Sequence, residues 1–399
     1  MKKLLFISDL FPHEINPVYG IFVKHQVDEL SKYYQVRVIA TYYPNSCKQI
    51  ESIDLGYPVL RIYFPTIKSI QLSSFPIYRI YALPKIKSLI RSWKPDLIHV
   101  HDCRHFPELL ILSKLIQRSA IPSYLTLHNI KTLPENSNNP LSRFVYARTL
   151  SAAFAGRLSI RHTLKNQPWQ HIFTVNDKLK RILDRINCTL WTTTIGNAIS
   201  NITVNGSQCP ENIKKFISNT GFKIISVGNL VHGKGFELLI RAVINLLNTG
   251  IDLKLVIVGD GEQHLMLNKI IQVSQKESNI LLAGSMNHDV LLNTYQEFDS
   301  FILPSYKETF GIVYLEAMAA GLPTIGVKGQ GIDGVIIHGE NGWLLAPQSV
   351  SDIELWIKWL MSNPQEAKAI AHRGQSHVRE NYRIDTLCQR IISIYETAR

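Results

Sequence analysis

The stretch that decides this chain is Glu308-Thr309-Phe310-Gly311-Ile312-Val313-Tyr314-Leu315-Glu316. An apolar, strand-like run precedes it, Phe301-Ile302-Leu303-Pro304, and a helix-like run over 313–320 is closed by Gly321 and Pro323. Eight residues at 100° each would leave the two glutamates about 80° apart on a continuous helix. One helix would therefore not aim both carboxylates at one point. The spacing predicts Glu308 in the loop and Glu316 inside the helix, with the amides of Thr309, Phe310 and Gly311 at the helix start. Such a terminus presents unpaired N–H groups and a positive dipole end, which suit a phosphate. Carboxylates on either side accept hydrogen bonds from sugar and ribose hydroxyls. The arrangement reads as a nucleotide-sugar site.

The same strand–loop–helix rhythm fills the second half. Strands are predicted at 223–227, 253–258, 280–283, 301–303 and 324–327, with helices at 236–247, 265–274, 289–298 and 311–320 between them. That alternation predicts a parallel, doubly wound α/β sheet with ligands at the carboxyl ends of its strands. In the first half, strands are predicted at 4–7, 36–40, 59–63, 97–101, 124–127 and 171–175, and helices at 21–33, 84–93, 107–118 and 178–185. At 399 residues the chain is long for one core, and the stretch 200–220, rich in Asn, Gly, Ser and Pro, is the natural boundary.

Composition narrows the function. An apolar fraction of 45% with 19% charged residues describes a globular protein, and no run approaches eighteen apolar residues. Cys47, Cys103, Cys188, Cys209 and Cys388 are odd in number and scattered, with no metal-ligand spacing, so a reducing cytoplasm is expected. The sequons at Asn187, Asn201 and Asn205 then read as chance matches. The short apolar start before Ser8 and Asp9 reads as a first strand rather than a signal peptide. Residues 1–200 hold 26 Lys and Arg against 12 Asp and Glu, whereas 201–399 hold 17 against 19. All the excess positive charge, +14 against −2, lies in the first half. An anionic partner is expected there, either a membrane surface or an acceptor. Nucleic acid is disfavoured, because no helix-turn-helix, zinc finger or RNP-like motif accompanies the charge.

The pattern S-x-x-E-T-F-G-x-x-x-x-E-A-M-A-A-G-L-P, from Ser305 to Pro323, resembles the retaining GT-B glycosyltransferases of family GT4. The resemblance implies two Rossmann-like doubly wound domains facing across a cleft. An acceptor-binding domain would span 1–203, completed by a terminal helix at 382–399, and a nucleotide-sugar domain 204–381. Ser226-Val227-Gly228-Asn229-Leu230-Val231-His232-Gly233-Lys234-Gly235 is similar to the family's G-R-x-x-x-x-K-G element, with Asn229 where the family commonly has Arg. Gly228, Asn229 and Lys234 are thus expected on the donor diphosphate, and a cation at a helix start itself argues for an anion nearby. Gly20, after strand one, is similar to the family's glycine loop, where backbone approaches phosphate. The turn Val258-Gly259-Asp260-Gly261-Glu262 lacks a third glycine, so it is no dinucleotide site, and in the resemblance it lies near the base. No true D-x-D occurs, so neither a metal nor a cofactor is expected.

His128, in Leu125-Thr126-Leu127-His128-Asn129, matches the family's histidine near the transferred sugar, and Glu308, His128 and Lys234 form the expected catalytic set. His99 and His101 end a strand at period two and read either as acceptor-side groups or as a structural pair. Helical spacing over 83–94 sets Ile86, Leu89, Ile90 and Trp93 on one side, with Lys85, Lys87, Arg91 and Lys94 around the other. Membrane contact through Lys85, Lys87, Arg91, Trp93 and Lys94, or a helix packed on the sheet, are both open there. Arg143, Arg148, Arg157, Arg161 and Lys165 form a second basic stretch. The expected reaction is transfer of a sugar from a nucleotide-diphosphate sugar to a hydroxyl of a glycan or glycolipid acceptor, on the inner face of the membrane. An epimerase on the same fold, or a sugar- or lipid-binding module without activity, would share some of these features.

Overall fold

Two sheets carry the chain in the computed structural model, which describes residues 1–14, 19–42, 48–54, 56–63, 74–101, 106–128, 168–185, 191–200, 208–218 and 221–397. The strands of the first are β1 (Lys3–Ser8), β2 (Gln35–Tyr42), β3 (Lys48–Asp54), β4 (Tyr57–Tyr63), β5 (Leu97–His101), β6 (Ser123–Leu127), β7 (Trp169–Thr174) and β8 (Thr192–Thr194). Those of the second are β9 (Phe222–Val227), β10 (Leu253–Val258), β11 (Ile280–Gly284), β12 (Ser300–Ile302), β13 (Thr324–Val327) and β14 (Trp343–Leu345). The first sheet runs β3-β4-β2-β1-β5-β6-β7-β8 and the second β11-β10-β9-β12-β13-β14. Every pairing is parallel except β3 with β4.

Parallel strands need crossovers, and the crossover helices cover both faces of the sheet. The inner strands are accordingly buried along their whole length, as in β5, β6 and β10. In both sheets the order reverses beside the strand that comes first in sequence, between β1 and β5 and between β9 and β12. Loops leaving the carboxyl ends of such a neighbouring pair diverge and leave a crevice, which is where ligands bind in doubly wound sheets.

The chain divides into two compact units, Met1–Gly196 with Cys388–Arg399, and Asn197–Leu387. The sequence placed the changeovers near 203 and 382. Within the first unit, the part of the terminal helix Ile384–Thr397 from Cys388 onward is tied to β5 and β6. Tyr395 OH lies 2.5 Å from His99 Nδ1, and Tyr124 OH donates to Tyr395 O at 3.3 Å.

Several elements depart from expectation. The helix expected from Pro84 begins ten residues earlier, as Ser74–Trp93, with the proline inside it. Strand β3 is antiparallel at the sheet edge, β14 is three residues long, and the helix Val350–Ser362 was not anticipated. That last helix did carry a readable start. Ser349 caps it by accepting from Asp352 N, a serine followed three residues on by an acid.

Candidate active site

In the second unit, the loops after β9 and β12 interlock at the reversal point. The carbonyl of Gly233 accepts from Tyr306 N at 3.1 Å, Lys307 N at 3.2 Å and Ser305 Oγ at 3.3 Å. Gly235 has φ +73°, and a Cβ there would sit 2.3 Å from Pro304 O, so any other residue would push the loops apart. Across this seam Lys234 Nζ donates to Glu308 Oε2 at 2.6 Å. Its side chain is 20% exposed and that of Glu308 9%. A third loop fixes the glutamate backbone: Gly331 N donates to Glu308 O at 3.0 Å, and Glu308 N to Gln330 Oε1 at 3.1 Å. Lys234 is therefore a half-buried ion-pair partner.

Gly311, at φ +84°, precedes the helix Ile312–Ala319, so Glu308 lies in the loop and Glu316 in the helix. No side chain caps this helix and its first turn carries no acid, so its leading amides point out of the helix without a side-chain acceptor. Phe310 is buried and packs near Tyr382, so its ring belongs to the core. Glu316 is buried as well, accepting from His288 Nε2 at 2.9 Å and from Tyr295 OH at 3.4 Å. Burial, and then the Glu316 charge, push the Tyr295 phenol well above its ordinary value. The hydrogen bond to Glu316 holds the His288 imidazole above its ordinary 6.5, against the opposing pull of burial.

The remaining donor-side residues are mostly structural in this arrangement. Gly228 N donates to Val258 O at 3.0 Å, while Leu230 N donates to Asp260 O at 2.9 Å, so the turn at 258–262 braces the Lys234 loop. Asn229 is exposed, and Thr309 half-buried.

The first unit gathers the other expected residues at its own reversal point. Gly20, at φ +64°, precedes the helix Ile21–Leu30. A Cβ there would lie 2.4 Å from Leu10 C, so this glycine is required by the chain's own backbone, without reference to any phosphate. His99, His101 and His128 are all buried. Period-two placement does not bring His99 and His101 to a surface, because both faces of β5 are covered. His99 Nε2 lies 2.7 Å from Thr126 Oγ1, and its Nδ1 meets Tyr395. His101 Nε2 lies 3.0 Å from Gln26 Oε1, and His128 Nε2 3.1 Å from His101 Nδ1. With the amide oxygen as acceptor, protons run from His128 to His101 to Gln26, one on each neutral ring. Burial pushes His99 and His128 down to about 3 and His101 well below its usual value.

On the helix Ser74–Trp93, Ile86, Ile90 and Trp93 are buried, whereas Lys85, Lys87, Arg91 and Lys94 face solvent. Trp93 is 8% exposed, with Arg37 5.1 Å and Lys3 5.8 Å from its ring, so it is excluded from any surface contact. Among the described residues of this helix, Ile80 and Tyr81 are large apolar groups left exposed, at 65% and 40%. The basic stretch from Arg143 to Lys165, the sequons, Cys47, Cys103 and Cys188 lie outside the described residues. Among the described residues no helix is long and apolar enough to cross a membrane.

Comparison with known proteins accords with this geometry. The model for glycosyl transferases group 1 matches residues 210–377, and that for glycosyl transferase 4-like domains residues 15–155. The chain is similar to N-acetyl-alpha-D-glucosaminyl L-malate synthase of Bacillus anthracis, at 23% identity over 86% of this chain and 84% of that one. It is also similar to the GDP-mannose-dependent alpha-mannosyltransferase of Corynebacterium glutamicum, at 24% identity over 86% and 76%. Among solved structures, sucrose-phosphate synthase from Thermosynechococcus elongatus superposes with a TM-score of 0.75 at 18% identity, covering 99% of this chain and 98% of that one. Anabaena HepE in complex with UDP superposes with a TM-score of 0.72 at 18% identity over the full length of both. Fold and site thus define a GT-B glycosyltransferase. The chain belongs to the group 1, GT4-like glycosyltransferase family.

Proposed function

We propose that this hexosyltransferase moves a sugar, with retention, from a nucleoside-diphosphate sugar to a hydroxyl of a lipid-linked glycan in cell-surface polysaccharide synthesis. The observation that carries the reading is the Lys234–Glu308 pair at 2.6 Å, set at the β9–β12 reversal beside an uncapped helix start. A diphosphate entering there competes with Glu308 for Lys234. Once Lys234 turns to phosphate, Glu308 is free to accept from a sugar hydroxyl. Binding the donor would therefore exchange one ion pair for two charge-assisted contacts. Glu316 would take the ribose.

The transition state places charge on the departing diphosphate, and Lys234 with the helix amides is aimed at that charge. The sugar C1–O bond to the β-phosphate breaks as the acceptor oxygen bonds C1 on the same face. The acceptor proton passes to the departing phosphate oxygen. No side chain supplies a covalent intermediate, and no metal is required, because lysine and amides carry the anion. His128, neutral in its buried setting with its one proton directed at His101, would not act as an acid.

Two further features support the acceptor class and location. The relatives' printed names span glycan and polysaccharide synthesis, including a capsular polysaccharide glycosyltransferase of Staphylococcus aureus. The solvent face of Ser74–Trp93 offers Lys85, Lys87 and Arg91 beside exposed Ile80 and Tyr81, a composition that suits the cytoplasmic surface of an anionic membrane. The test is incubation of the protein with UDP-, GDP- and ADP-sugars and membrane extract, with products separated by mass. A glycolipid one hexose heavier is expected. Hydrolysis or interconversion of every donor without transfer would overturn the reading.

A further inference from the structure

Glu316 is a buried carboxylate with both oxygens engaged by neighbours from other elements. His288, first residue of the helix His288–Thr294, gives Oε1 a bond of 2.9 Å, and Tyr295 approaches Oε2 at 3.4 Å. Each carboxylate oxygen accepts two hydrogen bonds, so one lone pair on each stays available after these contacts. Two such lone pairs suit a vicinal diol. A glutamate side chain has three rotatable bonds, and only a pinned one presents that pair at a fixed angle.

We infer that His288 is the positioning residue for Glu316, orienting its carboxylate so that the site discriminates a ribose diol from a deoxyribose. This rests on the nucleotide-sugar reading above. Asn287 caps the His288–Thr294 helix by accepting from Asp289 N, which holds the backbone beside His288. Among the described residues, the Glu316 carboxylate and Asp289 favour the charged form of the ring, and burial opposes it. The bond to Glu316 is charge-assisted while the ring is protonated and weakens as pH rises through the raised value of His288.

The test compares UDP, GDP and ADP with their 2′-deoxy counterparts by calorimetry between pH 6 and 9, on wild type, His288→Ala and His288→Gln. Wild type should prefer the ribose form by about tenfold or more, the size of a lost bond to a charged group, and that preference should shrink as pH rises. His288→Ala should bring the ratio close to one. His288→Gln, which keeps an N–H donor without the charge, should retain a preference that no longer varies with pH. If His288→Ala keeps the wild-type ratio and its pH profile, the inference is wrong. Failure of His288→Ala to fold leaves the glutamine variant to decide, through loss or persistence of the pH dependence. Failure of wild type to bind any nucleoside diphosphate would instead overturn the proposed function itself.

Discussion

At the residue scale, Lys234 and Glu308 each have two tasks. Each satisfies the other in the structure, and that bond closes the seam between two loops 74 positions apart in sequence. Replacing Lys234 with Ala should lower transfer by about a hundredfold or more, as when a donor aimed at developing charge is removed. Because Glu308 is 9% exposed, the change also leaves a mostly buried carboxylate without its partner, costing about 1–3 kcal/mol of stability. Kinetics at saturating donor and a thermal melt check both. Near-normal turnover would remove Lys234 from catalysis. The glutamate spacing showed in the sequence that one carboxylate is in a loop and the other in a helix, because helical angle is local arithmetic. It did not show that Lys234 pairs with Glu308, or that His288 and Tyr295 surround Glu316. Those contacts depend on which loops the sheet order brings together, and no spacing rule encodes them.

At the scale of elements, the buried histidines of β5 and β6 set an acid limit. In the unfolded chain each ring takes a proton near 6.5, whereas in the fold His99 and His128 resist protonation down to about 3. Their contribution to stability is complete above 6.5 and is lost as pH falls toward 3. At pH 5 the loss is about 2 kcal/mol for each ring. Melting temperature measured from pH 7.5 to 5 should fall accordingly, and His101→Asn, which breaks the chain of rings, should flatten the slope. A melting temperature independent of pH over that range would refute the neutral cluster. His288 has the opposite sign: its folded value is raised, so its stabilisation is present below 6.5 and fades as pH climbs through that raised value.

Element types were legible where period and punctuation agreed, as in β10 and the Phe236–Asn248 helix, both placed within a residue of the expected bounds. Surfaces were not. Alternation along β5 put two histidines on one face and left open whether they are acceptor-side groups or a structural pair; burial and hydrogen bonding within the sheet now make them a structural pair. Pro84 read as a helix start because proline suits that position, whereas burial of Tyr78, Ala82 and Ile86 carries the helix through it.

At the scale of the whole molecule, the charge asymmetry of +14 against −2 puts the excess positive charge in the first half, where the proposed membrane contact lies. Wild type should bind phosphatidylglycerol vesicles at low salt and release them as salt screens the charge. At about 1 kcal/mol per cation, changing Lys85, Lys87, Arg91 and Lys94 together to Glu should weaken binding by more than a hundredfold. Ile80→Ser with Tyr81→Ser should weaken it less and leave the salt dependence intact. Vesicle binding unaffected by either set would assign the charge to something other than a membrane.

The central claim is that the reversal point of the second unit holds a nucleoside-diphosphate sugar, with Glu308 at the sugar and Glu316 at the ribose. The most direct measurement sets nucleoside-diphosphate affinity, by calorimetry, beside steady-state transfer kinetics for Glu308→Gln and Glu316→Gln. Glu308→Gln should depress turnover while leaving nucleoside-diphosphate affinity at or above wild type, since charge develops on the sugar only in the transition state and the variant no longer competes for Lys234. Glu316→Gln should weaken the donor and the free nucleoside diphosphate alike. If Glu308→Gln loses nucleoside-diphosphate affinity while Glu316→Gln keeps it, the two roles are reversed and the account of the site is contradicted.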